Sequence, residues 1–483
     1  MGSDAQRLYT IGQLVVADWP EGGIRTVANT IRQRPLGGYV FHAQDIASPE
    51  SLRSLAEELW ALYADHGWAP PWLAVTEEGG TVQRFRRWWE IPSALSLGEL
   101  DDPDWTYRTG ALTGQFLLAS GINWNFAPVA DVRTEARSYV IGTRSFGGTG
   151  ERVARHATAW LQGQQSQGVL ATVKHFPGHG MAAADSHVER PVVHIARAGL
   201  AAHLLPYRWA IRAGTAAVMT AHIVYPEYDD QPATLSAHWL NRVLRAELGF
   251  QGLIVTDALN MRGIAGHTDP AQAAPRAIMA GADVLDCGGT FPLALAIFDA
   301  LWEWARDPRA WSVARAAAVR ILAAKSRLIP PDHWPDWPDG QAVESLFARL
   351  DAKTESHVRG LKPPAPRARW VEVWASGAPP TAVEEAEAVP LEPVWINVAE
   401  RGAWSESLGR IAALPGPIVL YADNLWKHPG LVDGIRERLG HRLHTVVAVS
   451  DPVDQTLFDV PCIQLYGNRA RARRVAGRCL APG

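Results

Sequence analysis

The chain has 483 residues, 47% hydrophobic and 20% charged, with 46 lysines and arginines against 50 acidic residues and a net charge of −4. That length exceeds one ordinary core and suits two domains, one of them a large barrel. Nothing in that near balance of charge calls for nucleic acid or an anionic membrane as partner, and neither is expected. No apolar run approaches the roughly 20 residues of a membrane span.

Eight short apolar runs punctuate the first 340 residues: Ile11–Ala17, Gly38–His42, Trp72–Thr76, Asn123–Val129, Leu170–His175, Ala216–His222, Gly252–Thr256 and Ala282–Asp286. Helical patterns lie between most of them, among them Pro49–Asp65, Thr106–Ala119 and Trp239–Leu248. Continuous apolar runs suit parallel strands buried on both faces. Eight such units predict a (β/α)₈ TIM-type barrel of the α/β class, with a doubly wound sheet as the competing assembly.

The proline-rich stretch Ile329–Gly340 cannot continue a helix and marks the end of the barrel domain, 1–340. A helix over Gln341–Val358 and a second linker, Lys362–Arg367, fill 341–368. Strand-like runs then recur at Trp370–Ala375, Pro393–Val398, Pro417–Tyr421, His444–Val449 and Cys462–Tyr466, predicting a small α/β sandwich-like domain over 369–483. The three cysteines, Cys287, Cys462 and Cys479, are too scattered for a disulfide framework or a zinc cluster. With an N-terminus that lacks a signal-peptide pattern, they lead to the expectation of a cytoplasmic protein.

Polar residues gather where the runs end: Glu77 and Glu78, Asp131, Lys174 and His175, His222, and Asp257. In a barrel of this kind the site is built at the carboxyl ends of the strands. The segment Lys174-His175-Phe176-Pro177-Gly178-His179-Gly180, followed by Asp185-Ser186-His187, puts three histidines, a lysine and an aspartate within 14 residues. A carboxylate at Asp185 can hold the His187 imidazole in one tautomer and raise its basicity, for donating and taking protons. Taken singly, each histidine reads as a loop-stabilising group. A zinc site on His175, His179, Asp185 and His187 competes, but Lys174 would repel a dication and Pro177-Gly178 precludes helical ligand spacing, so no metal and no cofactor are expected. Asp257, closing a buried run, is either a helix cap or a catalytic carboxylate. Arg144 is either a ligand clamp or an ordinary salt-bridged loop arginine.

EEGGTVQRF (77–85), NFAPVADV (125–132), IGTRSF (141–146), KHFPGHG (174–180), DSH (185–187), TAHIVYP (220–226) and IVTDALNM (254–261) together resemble the glycoside hydrolase family 3 enzymes, in particular their bacterial β-N-acetylglucosaminidase branch. The resemblance spans most of residues 8 to 330. It implies that Asp257 is the nucleophile of a retaining hydrolysis and that His187, held by Asp185, is the acid/base. It implies that Arg144, Lys174 and His175 hydrogen-bond a carbohydrate substrate, a terminal N-acetylglucosamine on cell-wall-type fragments. Two departures stand out. Thr76 replaces an aspartate that normally grips outer hydroxyls of the sugar, leaving Thr76 and Glu77 as sugar-binding candidates. Asp286 and Cys287 stand where apolar residues are usual. A β-glucosidase or β-xylosidase of the same family, and a sugar-binding barrel with weakened catalysis, are the alternatives.

Overall fold

The computed structural model describes residues 3–135, 138, 140–182, 184–186, 189–342, 344–345 and 348, and in the second unit 369–374, 394–397, 404–413, 418–423, 429–440, 443–448 and 462–464. The chain divides into two compact units, Met1–Gly340 and Gln341–Gly483.

In the first unit, parallel strands β1 (Val15–Asp18), β2 (Gly38–Val40), β3 (Trp72–Val75), β4 (Trp124–Asn125), β5 (Leu170–Phe176) and β6 (Ala217–Thr220) follow one another around a sheet. A small antiparallel pair, β7 (Val224–Tyr225) and β8 (Asp229–Pro232), branches off before β9 (Leu253–Val255) and β10 (Leu285–Asp286) complete the eight. β10 pairs with β1. A parallel bridge between Val255 and Val284 joins β9 to the β10 segment and closes the ring. The buried carboxylate of Asp283 pins that seam, accepting the Ile254 N–H at 2.8 Å and ion pairs from Arg245 and Arg320. This is the expected (β/α)₈ barrel, and its strands are buried along nearly their whole length because helices cover the outer face.

The helices start where the local chemistry directs. Helix α3 (Pro49–Asp65) follows Ser48, whose hydroxyl accepts the Ser51 N–H while Ser51 returns a bond to the Ser48 N–H, and Pro49 occupies the first turn. The helix Pro103–Ala119 is capped by Asp102 and also opens on proline. At the N-terminus the structure departs from expectation. Residues 11–13 end the helix Ser3–Gln13 and only Val15–Asp18 is strand. The apolar run there spans two elements, and Gly12 lets the helix approach the Pro35 carbonyl more closely than any Cβ would allow. The segment His238–Glu247 is a π-helix, overlapping the helical stretch anticipated at Trp239–Leu248.

The second unit contains a parallel sheet of five strands, in the order Val394–Asn397, Arg369–Trp374, Ile418–Asp423, Leu443–Ala448, Cys462–Gln464. Helices Trp404–Ala412 and Pro429–Leu439 accompany it. Of the helix anticipated over 341–358, residues 341–342, 344–345 and 348 are described and are helical.

Candidate active site

The polar strand ends do converge on one end of the barrel. Glu78, three residues past the end of β3, is buried and takes a two-pronged grip from Arg144, Nε–Oε2 at 2.7 Å and Nη2–Oε1 at 2.8 Å. Lys174 of β5 adds an ion pair to Oε1 at 2.6 Å. Burial alone would raise the Glu78 carboxyl, but the charges of Arg144 and Lys174 hold it well below the usual carboxylate range. Burial likewise depresses the Lys174 ammonium, against the attraction of Glu78.

Beside this triad, Asp131 orients the β5 loop. Its Oδ2 lies 2.7 Å from His175 Nδ1, its Oδ1 accepts the His175 N–H at 3.3 Å, and it also accepts the N–H of His179. One buried carboxylate thus fixes the backbone of both histidines and the ring of His175, setting its tautomer with Nε2 left over. The peptide Lys174–His175 is cis, as is Phe176–Pro177. Gly180 lies so close to the Val132 carbonyl that a side chain would collide with it. His179 is buried, with Nε2 3.0 Å from Ser186 Oγ and Nδ1 without a hydrogen-bond partner among the described residues. Burial, helped by the neighbouring His175, lowers its imidazole to about 4, so it is neutral.

Asp257 follows β9 and is half-buried, with Oδ1 accepting the Ala258 N–H at 2.9 Å. Burial would raise its carboxyl, yet it lies below its ordinary value because His175, His222 and Lys174 surround it and the Ala258 N–H supports it. An ionised carboxylate in a cationic field can serve as a nucleophile. His222 braces the same loop: Nε2 donates to the Ala258 carbonyl at 3.0 Å, and Nδ1 sits 2.7 Å from Thr234 Oγ1. The loop bearing Asp185 and Ser186 is tied to the segment after Asp257, since the Ser186 carbonyl accepts the Gly263 N–H at 2.9 Å. His187 lies outside the described residues.

The structure therefore brings together Arg144, Lys174, His175 and Asp257, and ties the Asp185 loop to the same rim. Glu77 is placed otherwise. Expected among the sugar-binding residues, it is fully buried as a brace of its own loop, its Oε2 accepting the N–H groups of Arg84 and Phe85. Burial pushes its carboxyl up to about 8, against those N–H groups. The loop can take this shape because Gly79, at φ +90°, packs its α-carbon where a Cβ would strike the Pro92 carbonyl. Thr76 is half-buried at the end of β3. Sequence reasoning noticed Glu78, Asp131 and His222 as strand-end polar residues but gave them no role, and it missed a pair on another arc of the barrel, Asp18 and His42, 3.1 Å apart. Among the described residues, no group of three or more His, Cys, Asp or Glu side chains is arranged to hold a metal ion, and no helix is long and apolar enough to cross a membrane.

Comparison with known proteins points in one direction. Residues 9–287 match the family described as "Glycosyl hydrolase family 3 N terminal domain". A Beta-hexosaminidase of Thiobacillus denitrificans is 38% identical over 257 residues, which are 52% of this chain and 70% of the relative. A family 3 β-N-acetylglucosaminidase structure from Paenibacillus sp. str. FPU-7 superposes with a TM-score of 0.86 at 28% identity, covering 98% of this chain and 96% of that one. A structure from Neisseria gonorrhoeae in complex with N-trifluoroacetyl-D-glucosamine gives a TM-score of 0.56 at 29% identity, covering 70% of this chain and 96% of that one.

Proposed function

The chain belongs to glycosyl hydrolase family 3, and on that premise we propose that it is a β-N-acetylhexosaminidase that releases terminal β-linked N-acetylglucosamine through a covalent intermediate on Asp257. The observation that carries this reading is Asp257 itself: an ionised carboxylate on a barrel rim, held below its ordinary protonation range among Lys174, His175 and His222. In the first step its free oxygen attacks the anomeric carbon as the bond to the leaving oxygen breaks. The leaving oxygen takes a proton from His187, oriented by Asp185. In the second step the same imidazole removes a proton from water, and the water oxygen displaces Asp257 with net retention. Arg144 and Lys174, fixed by Glu78, and His175, fixed by Asp131, orient the sugar hydroxyls, so that orientation is in place before the substrate arrives.

The relatives support the sugar. The matched protein of Thiobacillus denitrificans carries the hexosaminidase name, and the Neisseria gonorrhoeae structure holds a glucosamine derivative. Cell-wall-type fragments ending in N-acetylglucosamine are the proposed substrates, and the cytoplasm, where scattered thiols stay reduced, the proposed place of action. The test is to compare p-nitrophenyl β-N-acetylglucosaminide with p-nitrophenyl β-glucoside. A clear preference for the first, in kcat/KM, is expected. Preference for the glucoside refutes the assignment of the sugar.

A further inference from the structure

The arc of the barrel formed by β10, β1 and β2 carries a second set of ionisable groups that the reaction above does not use. Their orientation follows from register. Tyr39 Oη meets Tyr63 Oη of helix α3 at 3.3 Å, so Tyr39 faces the outer helices. Its neighbour Val40 then faces the barrel interior, because successive strand residues alternate. Val40 is in register with Asp18, and Val16, two residues before Asp18, is in register with Asp286. Asp18 and Asp286 therefore face inward. Val255, bridged to Val284, puts Asp257 on the same inner side two residues on.

Asp286 is also stitched to the nucleophile segment. Its N–H donates to Thr256 Oγ1 at 3.1 Å, and its carbonyl accepts the Leu259 N–H at 3.0 Å, so its backbone is bonded on both sides of Asp257. The Asp286 side chain is 7% exposed. One oxygen accepts the Gly288 N–H at 3.1 Å, and among the described residues no lysine, arginine or histidine forms an ion pair with the group. A buried carboxyl without an ion-pair partner gains from a ligand group that can hydrogen-bond to it. The neighbouring Asp18 pairs with His42 at 3.1 Å, so the imidazole on this arc is engaged by Asp18 rather than by Asp286.

We propose that Asp286 is a specificity-determining residue of the sugar pocket, its carboxyl group hydrogen-bonding one of the hydroxyls at C3, C4 or C6 of the terminal sugar. The inference rests on the hydrolase reading given above, and it supplies a polar contact to a pocket in which Thr76 brings no charge. The protonation state suits the task. Burial, with the charges of Asp18 and Asp257 adding and His42 opposing, pushes the Asp286 carboxyl up to about 8. The shift favours the neutral form, whose O–H can donate and which places no second negative charge beside the nucleophile.

The test couples the residue to the substrate. For wild type, Asp286→Leu and Asp286→Asn, kcat/KM is measured on the parent aryl glycoside and on its 3-, 4- and 6-deoxy analogues, using whichever of the N-acetylglucosaminide and the glucoside wild type cleaves faster. In wild type, removing the recognised hydroxyl should cost about 10- to 100-fold, whereas in Asp286→Leu the same removal should cost less than about threefold. Asp286→Asn, which keeps the volume and an acceptor for Gly288, should fall between them and provides the reading if the leucine variant fails to fold. If every deoxy analogue costs the variants as much as it costs wild type, Asp286 only braces the Gly288 turn and the proposal fails. Wild-type preference for the glucoside would refute the proposed sugar while leaving this coupling measurable, and cleavage of neither glycoside would sink both.

Discussion

Two arcs of the same barrel rim handle charge in opposite ways. On β3 to β5, two buried carboxylates are matched: Glu78 by Arg144 and Lys174, Asp131 by His175 and two backbone N–H groups. On β10 to β2, Asp18 pairs with His42, while the Asp286 side chain takes a backbone N–H from Gly288 and no cation among the described residues. The first arc is pre-organised before any ligand binds, as electrostatic catalysis requires. The second holds its Asp286 carboxyl without a cation, and that is where a ligand's own hydroxyl groups can find a partner.

Removing the central anion should break the matched arc most severely. Glu78→Ala leaves Arg144 and Lys174 as buried cations without their partner, and a loss of about 3–5 kcal/mol in folding stability is expected, read by urea denaturation. A loss below about 1 kcal/mol would show that the arc is not held together by its charges.

The next effect concerns His179, which is neutral in the fold at about 4 against 6.5 unfolded. Its native value is depressed, so between pH 6.5 and 4 the unfolded chain binds the proton and the native chain does not. Stability should therefore fall as pH falls through that window, by up to about 3 kcal/mol from this group. His179→Gln should flatten that slope in a pH series of denaturation midpoints. An unchanged slope would contradict the burial argument.

The smallest effect is expected on the unmatched arc. His42 is partly exposed, and Asp18 raises its imidazole against the cost of burial. A raised native value stabilises fully below the unfolded value near 6.5 and is lost as pH rises through the native one. His42→Ala should thus cost less than about 1 kcal/mol at pH 6 and still less at pH 9, by the same denaturation assay. A cost that grows with pH would reverse the sign of this interaction.

Much of this architecture was legible in the sequence because its signals are local. Eight continuous apolar runs marked the barrel strands, and the helical pattern Pro49–Asp65 coincides with α3. The first strand was drawn too early because one apolar run, Ile11–Ala17, serves a helix end and a strand in turn. The site was legible as a set of strand-end residues, and Arg144, Lys174, His175 and Asp257 do meet. Their partners were not legible. Glu78 meets Arg144 across 66 positions, and no local pattern shows which of two adjacent glutamates turns to the cations and which to its own backbone. Asp18 and His42 are joined by the register of β1 and β2, which only the sheet reveals.

The account stands or falls on Asp257. Incubation with a 5-fluoro or 2-fluoro glycoside carrying a good leaving group should trap the glycosyl-enzyme, and peptide mass spectrometry should find the sugar on the peptide containing Asp257. A label on any other residue, or turnover with no covalent adduct at all, would contradict the mechanism proposed for this barrel.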